Sequence, residues 1–571
     1  MARINKLFIS GYRSIQEEIE IAFPASMPTV LVGENNAGKS NIVRALDLIL
    51  GEMWPGSREP DDHDFWNRDS QNGSIEIRAY MSDLTLQDWR GEHDVNSIMW
   101  IYNPNAEGEK LTFRADTSDG EKYVSKVVRD NCICVVIGAD RKLSYQLSYS
   151  SKYTLLSKIM RKFHNSLVEN PNRVERLKER FEEIVNIFQE VEQFSNFQTN
   201  LKEDFATILT GMTYGLGVDF SAYDPSNFFH SLRLFPQEDG NTRTFEELGT
   251  GQEQVLALAV AHAYARAFYG GIILVIEEPE AHLHPLAQDW LARKIKTMAN
   301  DGLQILLTTH STAFVDILGL SGLVLVRKVN NSTIVKQLNA QSLSEFCVNH
   351  GSPRERTNSA TILPFYASSA TIEIITGLFA KAVILVEGPT EALSLPIYLS
   401  KVDLDVSKEG VAIISVMGKG NLAKWWRFFK AYEIPVYLTF DNDTRNDENG
   451  NRRIDALRTI GIEDNEIESI IEIEDWSVQD EFCVFGNDFE TTFRGLFEDY
   501  NALEDEARSQ IGDSKPLVAR YVAHRLEVND SDGWNSMQDF KAKILSLLYP
   551  EVEDGENTQE LNDDEFDDVP F

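Results

Sequence analysis

Residues 33–40 read GENNAGKS, between the apolar run TVLV and the helix-like stretch NIVRALDLIL. The segment fits G-x-x-x-x-G-K-[ST] in the strand, loop and helix context that this pattern requires. In such a turn the backbone N–H groups point at phosphate oxygens, the lysine reaches the β- and γ-phosphates, and the serine hydroxyl binds Mg²⁺. We therefore expect the loop to bind ATP, with contacts from Gly33, Asn36, Gly38, Lys39, Ser40 and Asn41.

A second apolar strand, IILVIEE at residues 272–278, ends in Glu277 and Glu278. Two carboxylates at the end of a buried strand are costly without a cation, so we expect Glu277 near the nucleotide's metal ion and Glu278 beside the attacking water. For His282 and His284, which follow, a turn is a simpler explanation than a metal site. His310 ends a further strand, where it either hydrogen-bonds a γ-phosphate or has a structural role.

With LGTGQEQ at residues 248–254, these segments resemble the ABC-type ATPases of the SMC and RecF group, over roughly residues 1–327. The resemblance implies that two protomers enclose ATP, and hence a homodimer or higher homo-oligomer. It also implies that one short segment faces the nucleotide held by the partner's Lys39, namely Gly249, Thr250, Gly251 and Gln252. Glu277 stands where the group usually has Asp, and LGTGQ where LSGGQ is commoner.

Acidic residues recur at the ends of two buried strands in the last third of the chain. In VILVEGPTEA, Glu387 ends a strand and Glu391 lies one helical turn later, so both carboxylates can face one point. LTFDND ends in Asp441 and Asp443, which point to the same side as each other. Four converging carboxylates repel unless divalent cations neutralise them, and all-oxygen ligands favour Mg²⁺ or Mn²⁺. Taken alone, the D-x-D pattern is more simply a solvated turn.

EGPTE followed by DND is similar to the Toprim fold of topoisomerases, primases and certain nucleases. Behind an ABC-type ATPase, it resembles the OLD (overcoming lysogenization defect) family of ATPase–Toprim nucleases. This resemblance implies phosphodiester cleavage by two metal ions, with Glu387, Glu391, Asp441 and Asp443 as ligands.

Looser matches to the same family extend the candidate site. Asp488 and Glu490 of NDFE are possible further metal ligands, and Lys515 of SKPLVARYVA would stabilise charge on the scissile phosphate. For these three residues an ordinary surface position is the alternative. Lys419, in VMGKGN, would contact a DNA phosphate.

The expected fold class is α/β, an ABC-type P-loop ATPase domain with a helical insertion, followed by a Toprim α/β domain. The predicted ATPase domain spans residues 1–350, with the insertion at about 151–225, which is either a partner surface or a solvated helical arm. Residues 351–378 would be a linker, 379–548 the Toprim domain, and 549–571 an acidic, disordered tail.

The net charge of −36 ordinarily repels nucleic acid. DNA contact would therefore depend on local positive groups, for which the candidates are Lys419, Lys424, Arg427, Lys430, Arg452 and Arg453. Four cysteines without a C-x-x-C pair argue for a reducing compartment. No signal-like segment or membrane span of ~20 apolar residues is evident. We expect a cytoplasmic protein without a membrane partner.

These patterns and resemblances predict an ATP-binding, divalent-metal-dependent DNA endonuclease, regulated by a dimeric ABC-type ATPase and acting in phage defence or DNA repair. A partner protein of a defence system is a further candidate. The alternative is a non-cleaving, ATP-gated DNA sensor or clamp of the SMC and RecF type, in which the acids hold only structural Mg²⁺. A topoisomerase would need a domain with a nucleophilic tyrosine, and a primase a zinc module that these cysteines do not form.

Overall fold

A computed structural model describes residues 2–138 and 271–550, apart from residues 52, 58, 72, 90, 282, 356, 445 and 446. Between these ranges it describes residues 156, 157, 160, 163, 167–190, 192, 237, 238, 241, 242, 259 and 260. The chain divides into two compact units, Met1–Gln337 and Leu338–Phe571. The division precedes the predicted domain boundary at residue 350, and the predicted linker, 351–378, lies within the second unit and contains helices.

The first unit contains strands from both ends of its sequence. These strands are β1 Arg3–Ser10, β2 Ile19–Ala22, β3 Thr29–Val32, β4 Ile75–Ser82, β5 Thr85–Asp88, β6 Gly91–Tyr102, β7 Leu111–Thr117, β8 Gly120–Tyr123, β9 Cys132–Ile137, β10 Gln237–Glu238, β11 Asn241–Thr242, β12 Gly271–Glu277, β13 Gln304–Thr308, β14 Leu323–Val329 and β15 Ser332–Gln337. Its helices are α1 Lys39–Leu50, α2 Lys126–Asp130, α3 Pro171–Gln189 and α4 Pro285–Asn300.

Apart from β10 and β11, which pair only with each other among the described residues, these strands form an antiparallel sheet and a mostly parallel one. The antiparallel sheet has the order β2-β1-β4-β6-β7-β8, with β5 paired to β6. The other has the order β15-β14-β3-β13-β12-β9 and is parallel from β14 to β9. Strands β3 and β13 are buried along their whole length, as expected where both faces of a parallel sheet are covered. The carboxyl ends of β3, β12 and β13 therefore meet at one edge.

Two glycines shape the turn between β3 and α1. Gly33 has φ +145° and Gly38 has φ +109°, both in the left-handed region that favours glycine. A Cβ on Gly33 would lie 2.0 Å from the carbonyl oxygen of Val326, and one on Gly38 would lie 2.1 Å from Oγ1 of Thr333. The tight loop between strand and helix thus depends on both glycines.

The second unit is also α/β. Its strands are β16 Ala382–Val386, β17 Val411–Ser415, β18 Val436–Asp441, β19 Trp476–Val478 and β20 Phe482–Phe485. Its helices are α5 Ala340–Asn349, α6 Ile362–Ala367, α7 Ile372–Thr376, α8 Pro389–Lys401, α9 Leu422–Ala431, α10 Asn451–Thr459, α11 Asp464–Ile471, α12 Phe489–Leu496, α13 Tyr500–Ile511, α14 Lys515–Arg525 and α15 Asp532–Leu548.

The sheet of this unit has the order β17-β16-β18-β20-β19, in which only β19 is antiparallel to its neighbour. Strand β16 reads AVILV and is buried throughout, since helices cover both faces of such a sheet. An aromatic cluster packs beside it, in which Tyr398, Phe493, Phe497 and Trp534 are buried. The strand ends at Val386 and Asp441 thus share the carboxyl edge, as the sequence predicts.

Parts of the prediction lie outside the described residues. Within the predicted insertion at 151–225, the structure describes the helix α3, and most of the remainder lies outside the described residues. Residues 551–571 of the predicted tail are likewise outside the described part. None of the helices within the described ranges combines the length and the hydropathy of a membrane span.

Candidate functional sites

The loop GENNAGKS lines a cavity of about 240 Å³ at the carboxyl edge of the first unit's parallel sheet. Lys39 is 7% exposed, and its Nζ donates to the carbonyl oxygens of Gly33 at 2.9 Å and Glu34 at 2.8 Å. Burial lowers the pKa of Lys39 to about 8, against the attraction of nearby carboxylates. Among the described residues, the hydrogen bonds of this ammonium are thus to neutral oxygens, which phosphate oxygens can replace.

The other predicted residues of this loop divide into two groups. Asn36 and Ser40 line the cavity, and Asn36 has a left-handed φ of 62°. Asn41 also lines it, but its Nδ2 donates to Oγ of Ser14 at 2.7 Å. The Asn41 side chain therefore supports the loop from the protein side.

Glu278 and His310 reach the same cavity from the ends of β12 and β13. Glu278 has a left-handed φ of 49°, which is uncommon outside glycine, and its N–H donates to the carbonyl oxygen of Thr308 at 3.0 Å. Nε2 of His310 lies 4.0 Å from Oε1 of Glu278. Burial, together with the Lys39 charge, lowers the pKa of His310, which favours a neutral imidazole. Glu277 is the last residue of β12 and pairs in register with Thr308.

Glu280 is a residue of this site that the sequence analysis missed. Its carboxylate accepts from the backbone N–H of His310 at 2.6 Å and from Oγ1 of Thr309 at 2.9 Å. Glu280 therefore ties the turn after β12 to the segment that carries His310. The run EEPE could have indicated this residue, because it places a third acid two residues after Glu278, next to the same strand end.

The remaining predictions for the first unit have different outcomes. His284 caps α4, with its Nδ1 accepting from the N–H of Ala287 at 3.3 Å, which bears out the turn interpretation. His282 lies outside the described residues. So do Gly249, Thr250, Gly251 and Gln252, and their predicted role across a dimer interface stays a prediction.

In the second unit, the strand ends bring Glu387 and Asp441 together. Glu387 directly follows β16, and its Oε1 accepts from the backbone N–H of Asp441 at 2.9 Å. Oδ1 of Asp441 accepts from the N–H of Phe489, at the start of α12, at 3.1 Å. Burial, followed by repulsion from Glu387 and Glu391, raises the pKa of Asp441 well above its usual range.

Glu391 lies in the first turn of α8, and its position follows from helix capping. Gly388 precedes the helix, Pro389 opens it, and Oε2 of Glu391 accepts from the N–H of Gly388 at 3.1 Å. The side chain is buried, and burial together with the charge of Glu490 raises the pKa of Glu391 to about 7. Burial also raises the pKa of Glu387, to about 8, although Lys419 opposes this.

Asp443 has a different partner from the other three acids. Nζ of Lys419 donates to the carbonyl oxygen of Asp443 at 2.8 Å and also to its Oδ1. The same Nζ lies 3.8 Å from Oε1 of Glu387. Lys419 is only 5% exposed. The expectation that it contacts a DNA phosphate is therefore not met in this conformation, because its ammonium is turned onto the acids.

The looser predictions, Asp488, Glu490 and Lys515, lie in helical first turns or caps. Asp488 caps α12 by accepting from the N–H of Thr491 at 2.6 Å. Burial would raise the pKa of Asp488, but the hydrogen bonds from Thr491 outweigh it and lower the pKa. Oε1 of Glu490 lies 3.4 Å from Nζ of Lys515, which is 58% exposed. Glu490 and Lys515 thus reach the acid cluster, whereas the Asp488 side chain is occupied with the helix cap.

A divalent cation fits the donor chemistry of this cluster, which consists of carboxylate oxygens. Three of its acids have raised pKa values because they are buried together, and a bound cation would reverse that effect. Within residues 2–138 and 271–550 as described, however, no three His, Cys, Asp or Glu side chains are arranged to hold a metal ion. Asp443 is turned away onto Lys419. The residues suit the ion, but their present arrangement does not coordinate one.

The predicted nucleic-acid path is wrong for three cations. Lys424, Arg427 and Arg453 are buried. Nζ of Lys424 donates to the carbonyl oxygen of Phe365 at 2.7 Å. Arg427 donates to the carbonyl oxygen of His350 at 2.7 Å, and Nε of Arg453 lies 3.1 Å from Oδ2 of Asp447. Each cation is held by protein oxygens, whereas Lys430 and Arg452 keep exposed area.

Two family models match the chain. Residues 378–443 match the model described as Overcoming lysogenization defect protein-like, TOPRIM domain. Residues 3–85 and 122–315 match the model described as AAA ATPase domain. The α/β fold expected for both parts, and the expected resemblance to OLD proteins, are thus confirmed.

Curated relatives match most of the chain. An OLD nuclease of Thermus scotoductus is 25% identical over 459 residues, which is 77% of this chain and 82% of the relative. The Old nuclease of Escherichia phage P2 is 24% identical over 495 residues, 77% of each chain. An endonuclease GajA of Bacillus cereus is 23% identical over 193 residues, 34% of this chain and 30% of the relative.

Solved structures of SMC head domains also align. That of Pyrococcus furiosus, bound to the C-terminal domain of ScpA, is 15% identical, covers 59% of this chain and 96% of its own, and has a TM-score of 0.36. That of Thermotoga maritima is 15% identical, covers 59% of this chain and 99% of its own, and has a TM-score of 0.29.

Proposed function

This chain joins an AAA ATPase domain to an OLD-like TOPRIM domain, and from that premise we propose a divalent-metal-dependent DNA endonuclease whose cutting ATP controls. Relatives named as nucleases along 77% of the chain support a nuclease with an ATPase domain. Metal dependence, DNA as the substrate and control by ATP are the proposal. The observation that carries it is the buried cluster of Glu387, Glu391 and Asp441 at a sheet edge.

Within the cluster each residue has a proposed task. Glu387, Glu391, Asp441 and Asp443 would hold divalent ions, with Glu490 as a further candidate beside Glu391. When bound, two such ions activate the attacking water and stabilise the departing 3′ oxygen. Lys515 is 58% exposed next to Glu490, so its ammonium can stabilise charge on the scissile phosphate. Asp488 would position α12, whose first N–H, that of Phe489, donates to Asp441.

In the ATPase domain, Lys39, Ser40 and the loop backbone would bind the phosphates and their Mg²⁺. Glu277 would sit near that ion, Glu278 would polarise the attacking water, and a neutral His310 would accept or donate a hydrogen bond at the γ-phosphate. Homodimerisation through Gly249, Gly251 and Gln252, cytoplasmic location, a role in phage defence or repair and a defence partner belong to the same proposal.

Supercoiled plasmid tests this function directly. Full-length protein with Mg²⁺ or Mn²⁺, with and without ATP, should nick or linearise the plasmid. Asp441→Asn keeps the side-chain shape but removes a charge that a cation needs, so we expect nicking to fall roughly a thousandfold. Asp464→Asn is the matched control, because Asp464 is an exposed acid of the same unit paired with Arg458.

The alternative is a non-cleaving DNA sensor or clamp, in which the same acids hold only structural Mg²⁺. It predicts plasmid binding that depends on ATP, without strand breaks at any Mg²⁺ or Mn²⁺ concentration. Equal nicking by wild type and Asp441→Asn would also reject the proposed TOPRIM chemistry, since the breaks would then come from elsewhere.

A further inference from the structure

Lys419 is a buried cation placed inside the acid cluster. It opens a short 3₁₀ turn, Lys419–Asn421, after Gly418, whose φ is +117°. Both sides of this turn are fixed, since the N–H of Gly418 donates to the carbonyl oxygen of Glu387 at 2.7 Å and Nδ2 of Asn421 donates to that of Val416 at 2.8 Å. The turn therefore holds the Lys419 ammonium next to the carboxylates.

The contacts of Lys419 occupy the carboxylate of Asp443, which is one of the four predicted metal ligands. Its Nζ bonds both the carbonyl oxygen and Oδ1 of Asp443, and lies 3.8 Å from Oε1 of Glu387. A divalent ion bound by Glu387 and Asp443 would come within a few ångströms of this ammonium. Two cations at such a distance in a partly desolvated site repel strongly, so both cannot occupy the pair of acids.

We propose that Lys419 is a resident counter-ion of the TOPRIM cluster, which must leave Asp443 before that carboxylate can hold a divalent ion. This inference rests on the proposed metal-dependent function and adds a positioning residue to it. In the metal-free protein the ammonium neutralises acids that would otherwise repel one another while buried. Metal loading is then an exchange of cations, and Lys419 becomes exposed as the ion enters.

Chemical labelling of lysines in the wild-type protein follows this exchange without any cleavage assay. Full-length protein is treated with an amine acylating reagent in EDTA or in millimolar Mn²⁺, and modification is read by mass spectrometry. We expect modification of Lys419 to rise roughly tenfold with Mn²⁺, as a buried lysine becomes a surface one. Lys430 is the internal control, because its half-buried side chain faces Glu481 at 4.0 Å and should label equally in both conditions.

A pair of variants tests the competition from the other side. Lys419→Met removes the competing charge but keeps an unbranched side chain, so Mn²⁺ affinity should tighten about tenfold, as expected when one of two mutually exclusive ligands is lost. Affinity is measured from the electron paramagnetic resonance signal of free Mn²⁺. The control is Lys430→Met, which removes a positive charge of the same domain outside the cluster. This variant should leave the Mn²⁺ affinity unchanged.

The outcomes separate this inference from the function on which it rests. If wild type binds Mn²⁺ and nicks plasmid while Lys419 stays protected, the exchange is rejected and the nuclease proposal stands. If Lys419→Met binds Mn²⁺ more weakly than wild type, Lys419 supports the ion and the exchange is again rejected. If wild type neither binds Mn²⁺ nor cuts, both proposals fall. Should Lys419→Met not fold, the labelling of wild type decides alone.

Discussion

The two sites each contain a buried lysine, and the difference between their partners separates a site for anions from a site for cations. Lys39 is 7% exposed and Lys419 is 5% exposed, so burial does not distinguish them. Lys39 donates to the neutral carbonyl oxygens of Gly33 and Glu34, whereas Lys419 donates to the Asp443 carboxylate. In the first site the lysine is hydrogen-bonded to neutral oxygens that a phosphate can replace, while in the second it is already bonded to a carboxylate.

This contrast extends to the acids around each lysine. In the first unit Glu278 is exposed and reaches the cavity edge, and Glu280 hydrogen-bonds the backbone of His310. In the second unit Glu387, Glu391 and Asp441 are packed together, and burial raises all three pKa values. One site therefore holds its lysine on neutral carbonyl oxygens, within the attraction of nearby carboxylates. The other site has excess negative charge that protons or cations must balance.

The largest effect that tests this contrast is expected at Lys39. Lys39→Ala should weaken ATP binding roughly a thousandfold, or ~4 kcal/mol, because charge-assisted hydrogen bonds to two phosphate oxygens are lost. Since the pKa of Lys39 is about 8, wild-type affinity should also decline as the pH rises above that value. Equilibrium binding of a fluorescent ATP analogue measures both effects.

Lys39→Ala provides the control for the pH effect, because it has no proton to lose and its residual affinity should be flat across the same range. An affinity decline of equal slope in wild type and variant would assign the pH effect to another group. That result would contradict the inference that the Lys39 ammonium binds the phosphates of ATP.

The next largest effect concerns the acids of the second unit. The pKa of Glu391 is raised from its ordinary value of 4.5 to about 7. The protonated Glu391 therefore contributes fully to the free energy of unfolding below about pH 4.5. This contribution is lost as the pH rises through about 7, and the free energy of unfolding falls by up to about 3 kcal/mol. Glu391→Gln has no such titration and keeps an oxygen for the N–H of Gly388, so its stability should depend less on pH.

The pH dependence of stability is measured from urea unfolding midpoints of the full chain in EDTA. The midpoints are determined by hydrogen-exchange mass spectrometry on peptides from β16 and α8. Asp464→Asn should follow the wild-type pH dependence, since Asp464 lies on the surface. Millimolar Mg²⁺ should also flatten the wild-type profile, because a cation stabilises the ionised acids. Parallel profiles for wild type and Glu391→Gln would contradict the burial of a charged cluster.

Local patterns in the sequence predict the sites because strand ends and helix starts are local features. GENNAGKS and EGPTEA each join a strand to a helix, so the spacing of Lys39, Glu387 and Glu391 follows from the turn. The pairing of Lys419 with Asp443 is not local, since 24 residues separate them along the chain. No periodicity reports which of several parallel strands will be neighbours.

The buried cations show a second limit. WWRFFKAY and NGNRRIDALR have the charge pattern of solvated helical faces, yet Arg427 and Arg453 point inward onto His350 and Asp447. The acceptor of Arg427, the carbonyl oxygen of His350, lies 77 residues away along the chain, whereas that of Arg453, Asp447, lies six residues before it. The charge of a residue is visible in the sequence, whereas the acceptors that allow its burial are not.

The smallest expected effect lies at Glu280, in the site with fewer internal charge pairs. Glu280→Gln leaves one carbonyl oxygen to serve both the N–H of His310 and the hydroxyl of Thr309, so the position of His310 loosens. We expect ATP hydrolysis to fall about tenfold with little change in ATP affinity, since the change reaches a positioning contact and not the phosphates. The matched control is Asp289→Asn, because Asp289 is an exposed acid on α4.

If Glu280 acts through His310, the Glu280→Gln and His310→Ala effects on turnover should combine to less than their product. Fully multiplicative effects would show that the two residues act independently, and the tie between the strand ends would then be structural only.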